Sequence, residues 1–118
     1  MIYISRKEHF NAAHKLWHGH NFELITTVKG KPDPETGFVV DLKQLSNVIR
    51  AEVIEKLDHK NLNMDVDFMK GKMASCEILV MEIWKILEPE VAKITSIGKL
   101  HSLRLYETPR NFVEYFGE

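Results

Sequence analysis

The sequence predicts an α+β fold built on a mainly antiparallel sheet. Three observations lead there. Two long stretches near the start alternate polar with apolar residues. Two stretches in the middle repeat apolar residues at intervals of three and four, and two shorter alternating stretches close the chain. The order is β-β-α-α-β-β in a single domain, 1–118, with no internal repeat or obvious linker.

Residues 2–14 read as the first strand, with Ile2, Ile4, Phe10, Ala12 and His14 on one parity. Residues 18–29 alternate more cleanly. His18, His20, Phe22, Leu24, Thr26 and Val28 lie on one side, with Asn21, Glu23, Thr27 and Lys29 largely on the other. Residues 30–37 (GKPDPETG) are turn chemistry, and Phe38, Val39 and Val40 lead into Asp41, an N-cap with Gln44 three residues on. Leu42, Leu45, Ile49, Val53 and Leu57 then mark a helix, and Asn61 and Asn63 favour an irregular turn after it. A second helix starts at Ser75 with Ile78, Met81, Trp84 and Leu87 as its buried stripe, and Pro89 limits its extent. Residues 99–107 and 111–116 form the last two strands, joined by Thr108-Pro109-Arg110. Four strands leave exposed edges, which pairing with another subunit often resolves.

A chain of 118 residues is long enough to bury roughly two thirds of its unfolded surface. Sixteen basic against seventeen acidic side chains give a net charge of -1, so there is no electrostatic footprint for nucleic acid. No apolar run approaches the ~20 residues of a membrane span. The N-terminus lacks the basic-then-apolar order of a signal peptide, and one cysteine excludes an internal disulfide framework. A cytoplasmic enzyme or binding protein is expected.

Half of the six histidines fall within residues 14–20. His18 and His20 are two apart and share a face in a strand. Three imidazoles and an open position are the arrangement of catalytic zinc. The alternative is a polar strand end that binds nothing. In one straight strand His14 and His20 would be roughly 20 Å apart, so a shared metal requires the chain to reverse between His14 and His18. Only Lys15, Leu16 and Trp17 are available for that reversal, and none is a residue that makes a tight turn cheap.

Asp58-His59 is an acid–base pair in a loop. It is either a proton shuttle with an aspartate to stabilise its charge or a solvated helix end, and the two can cooperate only if the backbone turns there. Glu107 ends a strand whose odd positions include Leu103 and Leu105. A carboxylate on that apolar side needs a partner: a ligand edge with two N–H donors, or Arg104 or Arg110. Ser75-Cys76-Glu77 opens a helix. It offers either an anion-favouring N-terminus with a depressed thiol, or plain capping by Ser75 above a buried cysteine.

Taken together, five segments give the chain its resemblance: Phe10-Asn-Ala-Ala-His14, His18-Gly-His20-Asn21, Asp33-Pro-Glu-Thr-Gly37 with Val40-Asp41-Leu42, Leu57-Asp58-His59-Lys60-Asn61-Leu62, and Tyr106-Glu107-Thr108 with Tyr115-Phe116-Gly117-Glu118. In this order and spacing the chain resembles the 6-pyruvoyl-tetrahydropterin synthase family, including its 6-carboxytetrahydropterin synthase branch from queuosine biosynthesis. The resemblance implies the tunnelling fold (T-fold), a four-stranded antiparallel sheet with two helices on one face. It implies homo-oligomers, trimers or hexamers built as dimers of trimers, with sites at subunit interfaces. It implies Zn2+ held by His14, His18 and His20, proton transfer by Asp58 and His59, and a pterin anchored by Glu107 beside Ser75, Cys76 and Glu77. The implied substrate is 7,8-dihydroneopterin triphosphate, converted to 6-pyruvoyl-tetrahydropterin or, in the other branch, to 6-carboxytetrahydropterin and acetaldehyde.

The resemblance also implies a longer loop between the first histidine and His18-Gly-His20, carrying a cysteine that acts as general base. Here Leu16 runs straight into Trp17, and the poor turn chemistry points to the same place. Either a segment is missing between them, or the protein is a catalytically impaired pterin-binding paralogue.

Overall fold

The computed structural model describes residues 1–14 and 18–118, the side chains of His14 and His18 excepted. Strand β1 (Ile2–His14) pairs antiparallel with β2 (His18–Gly30) over its whole length, from Ile2 opposite Gly30 to His14 opposite His18. The pairing of His14 with His18 is the reversal that a metal shared by these positions would require. The segment between Leu16 and Trp17 lies outside the described residues.

A helical run follows: α1 (Leu42–Ile49), a π-helical turn at Arg50–Ile54, and α2 (Glu55–Leu57). Asp41 caps it, accepting from the backbone N–H of Lys43 and Gln44. Leu45, Ile49, Val53 and Leu57 are fully buried at a strict spacing of four. Each such step carries an α-helical side chain about 40° beyond a full turn. The wider π turn absorbs that drift and keeps all four on the core. Leu42 falls off the stripe and is exposed.

Strands β4 (Lys99–Tyr106) and β5 (Phe112–Tyr115) complete the predicted four-stranded antiparallel sheet. A fifth strand, β3 (Lys60–Asn61), joins the edge parallel to β1, with Ala12 opposite Lys60. The strand order is β3-β1-β2-β4-β5. Two residues are too few to show an alternation, so β3 left no sequence signal. A bulge where Thr27 and Val28 face β4 switches its buried parity from Leu103 and Leu105 to Leu100.

Helix α3 (Cys76–Ile94) packs on the same sheet face as the first helical run. It runs through Pro89 instead of ending there. Pro89 lacks the N–H that Lys85 O would accept, but both residues are exposed, so the helix's hydrogen-bond ladder is interrupted on its solvent side and not in the core. The buried stripe is also displaced from the predicted one: Leu79, Val80, Ile83, Trp84, Leu87 and Val91 face the core, Met81 is exposed and Ile78 half-buried. At its far end the chain returns over Trp84, against which Gly117, at φ +80°, packs too closely for a Cβ.

The buried face of β1 also carries Glu8, which an apolar tally passes over. Its carboxylate accepts from Arg6 Nε (2.9 Å), Ser46 Oγ (3.0 Å) and Arg50 Nε (3.3 Å), tying the strand to α1 and the π turn. Burial alone would raise its pKa. The three donors outweigh that and hold it below the usual glutamate value.

Candidate active site

The hairpin of β1 and β2 sets the site. Its register places His14 opposite His18 and Ala12 opposite His20, so the three histidine positions share one parity at one end of one ladder. The side chains of His14 and His18 lie outside the described residues. Among the described residues, no group of three histidine, cysteine, aspartate or glutamate side chains comes together as a metal cluster.

His20 continues the buried face of β2 and is half-buried, edge-on to Phe22. Its Nε2 lies 3.1 Å from Glu107 Oε1. The other oxygen of Glu107 accepts from Cys76 Sγ at 3.1 Å. Three candidates from three elements thus meet: β2 supplies the imidazole, the end of β4 the carboxylate, and the first turn of α3 the thiol. Glu107 is placed by the hairpin, where its N–H donates to Asn111 O and Thr108 Oγ1 accepts from the N–H groups of Arg110 and Asn111. Arg104, one predicted alternative partner for Glu107, reaches Glu114 instead, at 3.2 Å.

Burial and the adjoining Glu107 carboxylate push the Cys76 thiol far above its ordinary pKa, against the depressed-thiol reading. Ser75 is spent on the cap, accepting from Ile78 N–H, and Glu77 is exposed on the first turn.

Asp58 and His59 cooperate because the backbone turns between them. Asp58 is extended and His59 sits in the left-handed region at φ +60°, an uncommon conformation outside glycine. Asp58 Oδ1 accepts from Asn11 N–H (2.8 Å), and His59 N–H returns a bond to Asn11 O. His59 Nε2 then stands 3.6 Å from Asp58 Oδ2, with its ring largely exposed. Strand β1 therefore holds this pair through two hydrogen bonds to one residue, Asn11.

A cavity of about 560 Å³ opens between the hairpin end and the loop around β3, lined by Asn11, Gly19, His20, Asn21, His59 and Asp65 among others. It brings His20 and His59 to one space, and Glu107 and Cys76 reach it through His20. Ser75 and Glu77 do not line it. Asn11, Asn21 and Asp65 had no role assigned from the sequence. Asn11 and Asn21 are register partners, and Asp65 Oδ2 accepts from Asn61 N–H. The signal was present only as asparagines beside the histidine and Phe10 motifs.

A family model described as 6-pyruvoyl tetrahydropterin synthase matches residues 3–118. The 6-pyruvoyl tetrahydrobiopterin synthase of Pongo abelii is 33% identical to this chain over 136 aligned positions, covering 98% of this chain and 91% of the relative. That of Homo sapiens is 32% identical over the same shares. Among solved structures, the 6-pyruvoyl tetrahydropterin synthase of Caenorhabditis elegans superposes with a TM-score of 0.87 at 28% identity, covering 99% of this chain and 96% of that one. An alignment of 136 positions against 118 residues leaves at least 18 positions of the first relative without a counterpart here.

Proposed function

The chain belongs to the 6-pyruvoyl tetrahydropterin synthase family of pterin metabolism, and on that premise we propose that it is a zinc-dependent lyase acting on 7,8-dihydroneopterin triphosphate. The observation that carries this reading is the Glu107 carboxylate, held 3.1 Å from both His20 and Cys76 beside a cavity that His59 also lines. Triphosphate leaves, and 6-pyruvoyl-tetrahydropterin is the product.

His14, His18 and His20 would hold the zinc. The donor set suits it: three imidazoles and an open position are what catalytic zinc takes. The Glu107 contact to His20 also fits, because a carboxylate commonly orients a metal-ligating imidazole. When bound, the metal would supply Lewis acidity at the side-chain oxygens of the pterin.

The remaining work falls to the chain's own groups. Glu107 accepts from the paired N–H donors of the pterin ring, with Ser75, Cys76 and Glu77 along the same side of the substrate. The bidentate match sets the ring's orientation. His59 carries protons to and from the substrate side chain. Asp58, fixed by Asn11, orients that imidazole and stabilises its charged form. The protein works in the cytoplasm as a trimer or a dimer of trimers, with its sites at subunit interfaces.

The names of the mammalian relatives support the pyruvoyl product over 6-carboxytetrahydropterin, the product of the queuosine-pathway branch. A second reading, a pterin-binding paralogue lacking the general-base cysteine, is favoured by the relative's 18 or more unmatched positions. Incubation with 7,8-dihydroneopterin triphosphate separates them. Release of triphosphate with a 6-pyruvoyl product supports the synthase, a 6-carboxy product with acetaldehyde moves it to the other branch, and binding without release leaves the paralogue.

A further inference from the structure

At the opposite end of the same ladder, where β2 leaves the sheet, lies a cavity of about 690 Å³. Its lysines are Lys29, Lys31 and Lys99, and its other walls include Met1, Pro32, Pro34 and Ile97. Lys29 and Lys99 are direct partners in the β2–β4 register, and Lys31 follows two residues beyond Lys29. Like charges placed directly opposite destabilise a sheet. Water screens these solvent-accessible charges in part, and an anion held between them would remove the rest of the repulsion.

Among the described residues no carboxylate supplies it. Several other lysines stand within 4 Å of a carboxylate: Lys56 with Glu52, Lys70 with Asp67, Lys85 with Glu82, Lys93 with Glu90. Among the described residues Lys29, Lys31 and Lys99 have no such partner. The one acid in the wall, Asp33, turns its Oδ1 to the backbone N–H groups of Glu35 (2.7 Å) and Thr36 (3.2 Å) and so serves its own turn. The floor is firm. A Cβ on Gly30 would stand 2.8 Å from Val39 Cγ1 and 2.9 Å from Ile97 O, so backbone and side chain are already in close contact there.

We propose that this cavity is a second anion site, one that takes a linear polyphosphate across Lys29, Lys31 and Lys99. Three ammonium groups around one concave wall match a chain of several phosphates better than a single small anion. The site is separate from the histidine end. Lys29 and His18 are eleven residue steps apart along the strand, roughly 35 Å at the usual rise. The proposal stands on the register and the cavity, independently of the synthase reading.

The test is calorimetry with inorganic tripolyphosphate, with amide shift mapping, on the assembled full chain. The triple variant Lys29→Gln, Lys31→Gln, Lys99→Gln should bind about a hundredfold more weakly, as three exposed ion pairs at the upper end of their usual strength require. A control triple, Lys43→Gln, Lys70→Gln, Lys93→Gln, changes net charge equally and should bind like the parent. Shifts centred on Gly30 and Gly98 support the site. A nucleoside triphosphate run alongside identifies the source: tighter binding than tripolyphosphate assigns a nucleotide tail, equal binding the inorganic chain. Equal weakening in both triples, shifts centred elsewhere, or no binding of either compound overturns the proposal.

Discussion

The carboxylate of Glu107 stands between His20 and Cys76, one oxygen 3.1 Å from the imidazole Nε2 and the other 3.1 Å from the thiol sulfur. A glutamine there has one acceptor oxygen and cannot face two donors as the carboxylate does. Glu107→Gln should therefore weaken binding of a reduced pterin by about ten- to a hundredfold, the size of a lost charge-assisted pair. Fluorescence titration of pterin onto the protein reads this directly, without turnover. Unchanged affinity would remove Glu107 from the pterin-binding role.

The metal makes a second prediction. Elemental analysis of the purified protein should find about one zinc per chain, as a three-imidazole site implies. His18→Ala and His20→Ala should each lose it while far-UV circular dichroism keeps the parental spectrum. Zinc retained at full content in both variants would show that these histidines are not its ligands.

How much of this was legible in the sequence depends on the length of each signal. The 13-residue strands β1 and β2 carried enough alternation to fix which face His20 shares with Phe22 and Leu24, and the structure agrees. Glu107 was singled out by one physical conflict, a carboxylate in line with Leu103 and Leu105, but its partners come from β2 and α3, distant in sequence. Strand β3 was illegible because it has two residues, and its pairing with Ala12 and Ala13 is what brings His59 beside the hairpin. The stripe of α3 was misplaced because Ile78, Leu79, Val80 and Met81 are all apolar, so periodicity alone could not choose among them. Glu8 was passed over for the opposite reason. A charged residue on an apolar parity looks like noise until Ser46 and Arg50, some forty positions on, are seen to meet it.

That network gives stability a pH dependence of definite sign. Glu8 is held below its ordinary pKa by Arg6, Ser46 and Arg50 against the opposing effect of burial. A depressed carboxylate contributes stability above its unfolded pKa of about 4.3, and loses it as pH falls through the folded value. Urea melts should show this contribution at pH 7 and its decline below about pH 4. Glu8→Ala should cost about 1–3 kcal/mol at pH 7, because it leaves the buried Ser46 hydroxyl without its acceptor while the partly exposed Arg6 and Arg50 turn to water, and should flatten the acid limb. Equal acid sensitivity in parent and variant would assign the limb to other carboxylates.

His59 allows stability and chemistry to be separated. At φ +60° an L-residue is strained by about 1 kcal/mol relative to glycine, and the strain is kept beside a cavity. His59→Gly should therefore raise or preserve stability, while His59→Ala keeps the strain and changes stability little. Both remove the imidazole 3.6 Å from Asp58, so both should lower triphosphate release by about a hundredfold or more, as loss of a general acid–base group does. A more stable glycine variant with normal turnover would make the turn an accident of the loop and remove His59 from the chemistry. A glycine variant that is less stable would show that the ring contributes packing the backbone argument omits. The combination expected, a gain in melting temperature with a loss of turnover, is one that a purely structural histidine could not produce.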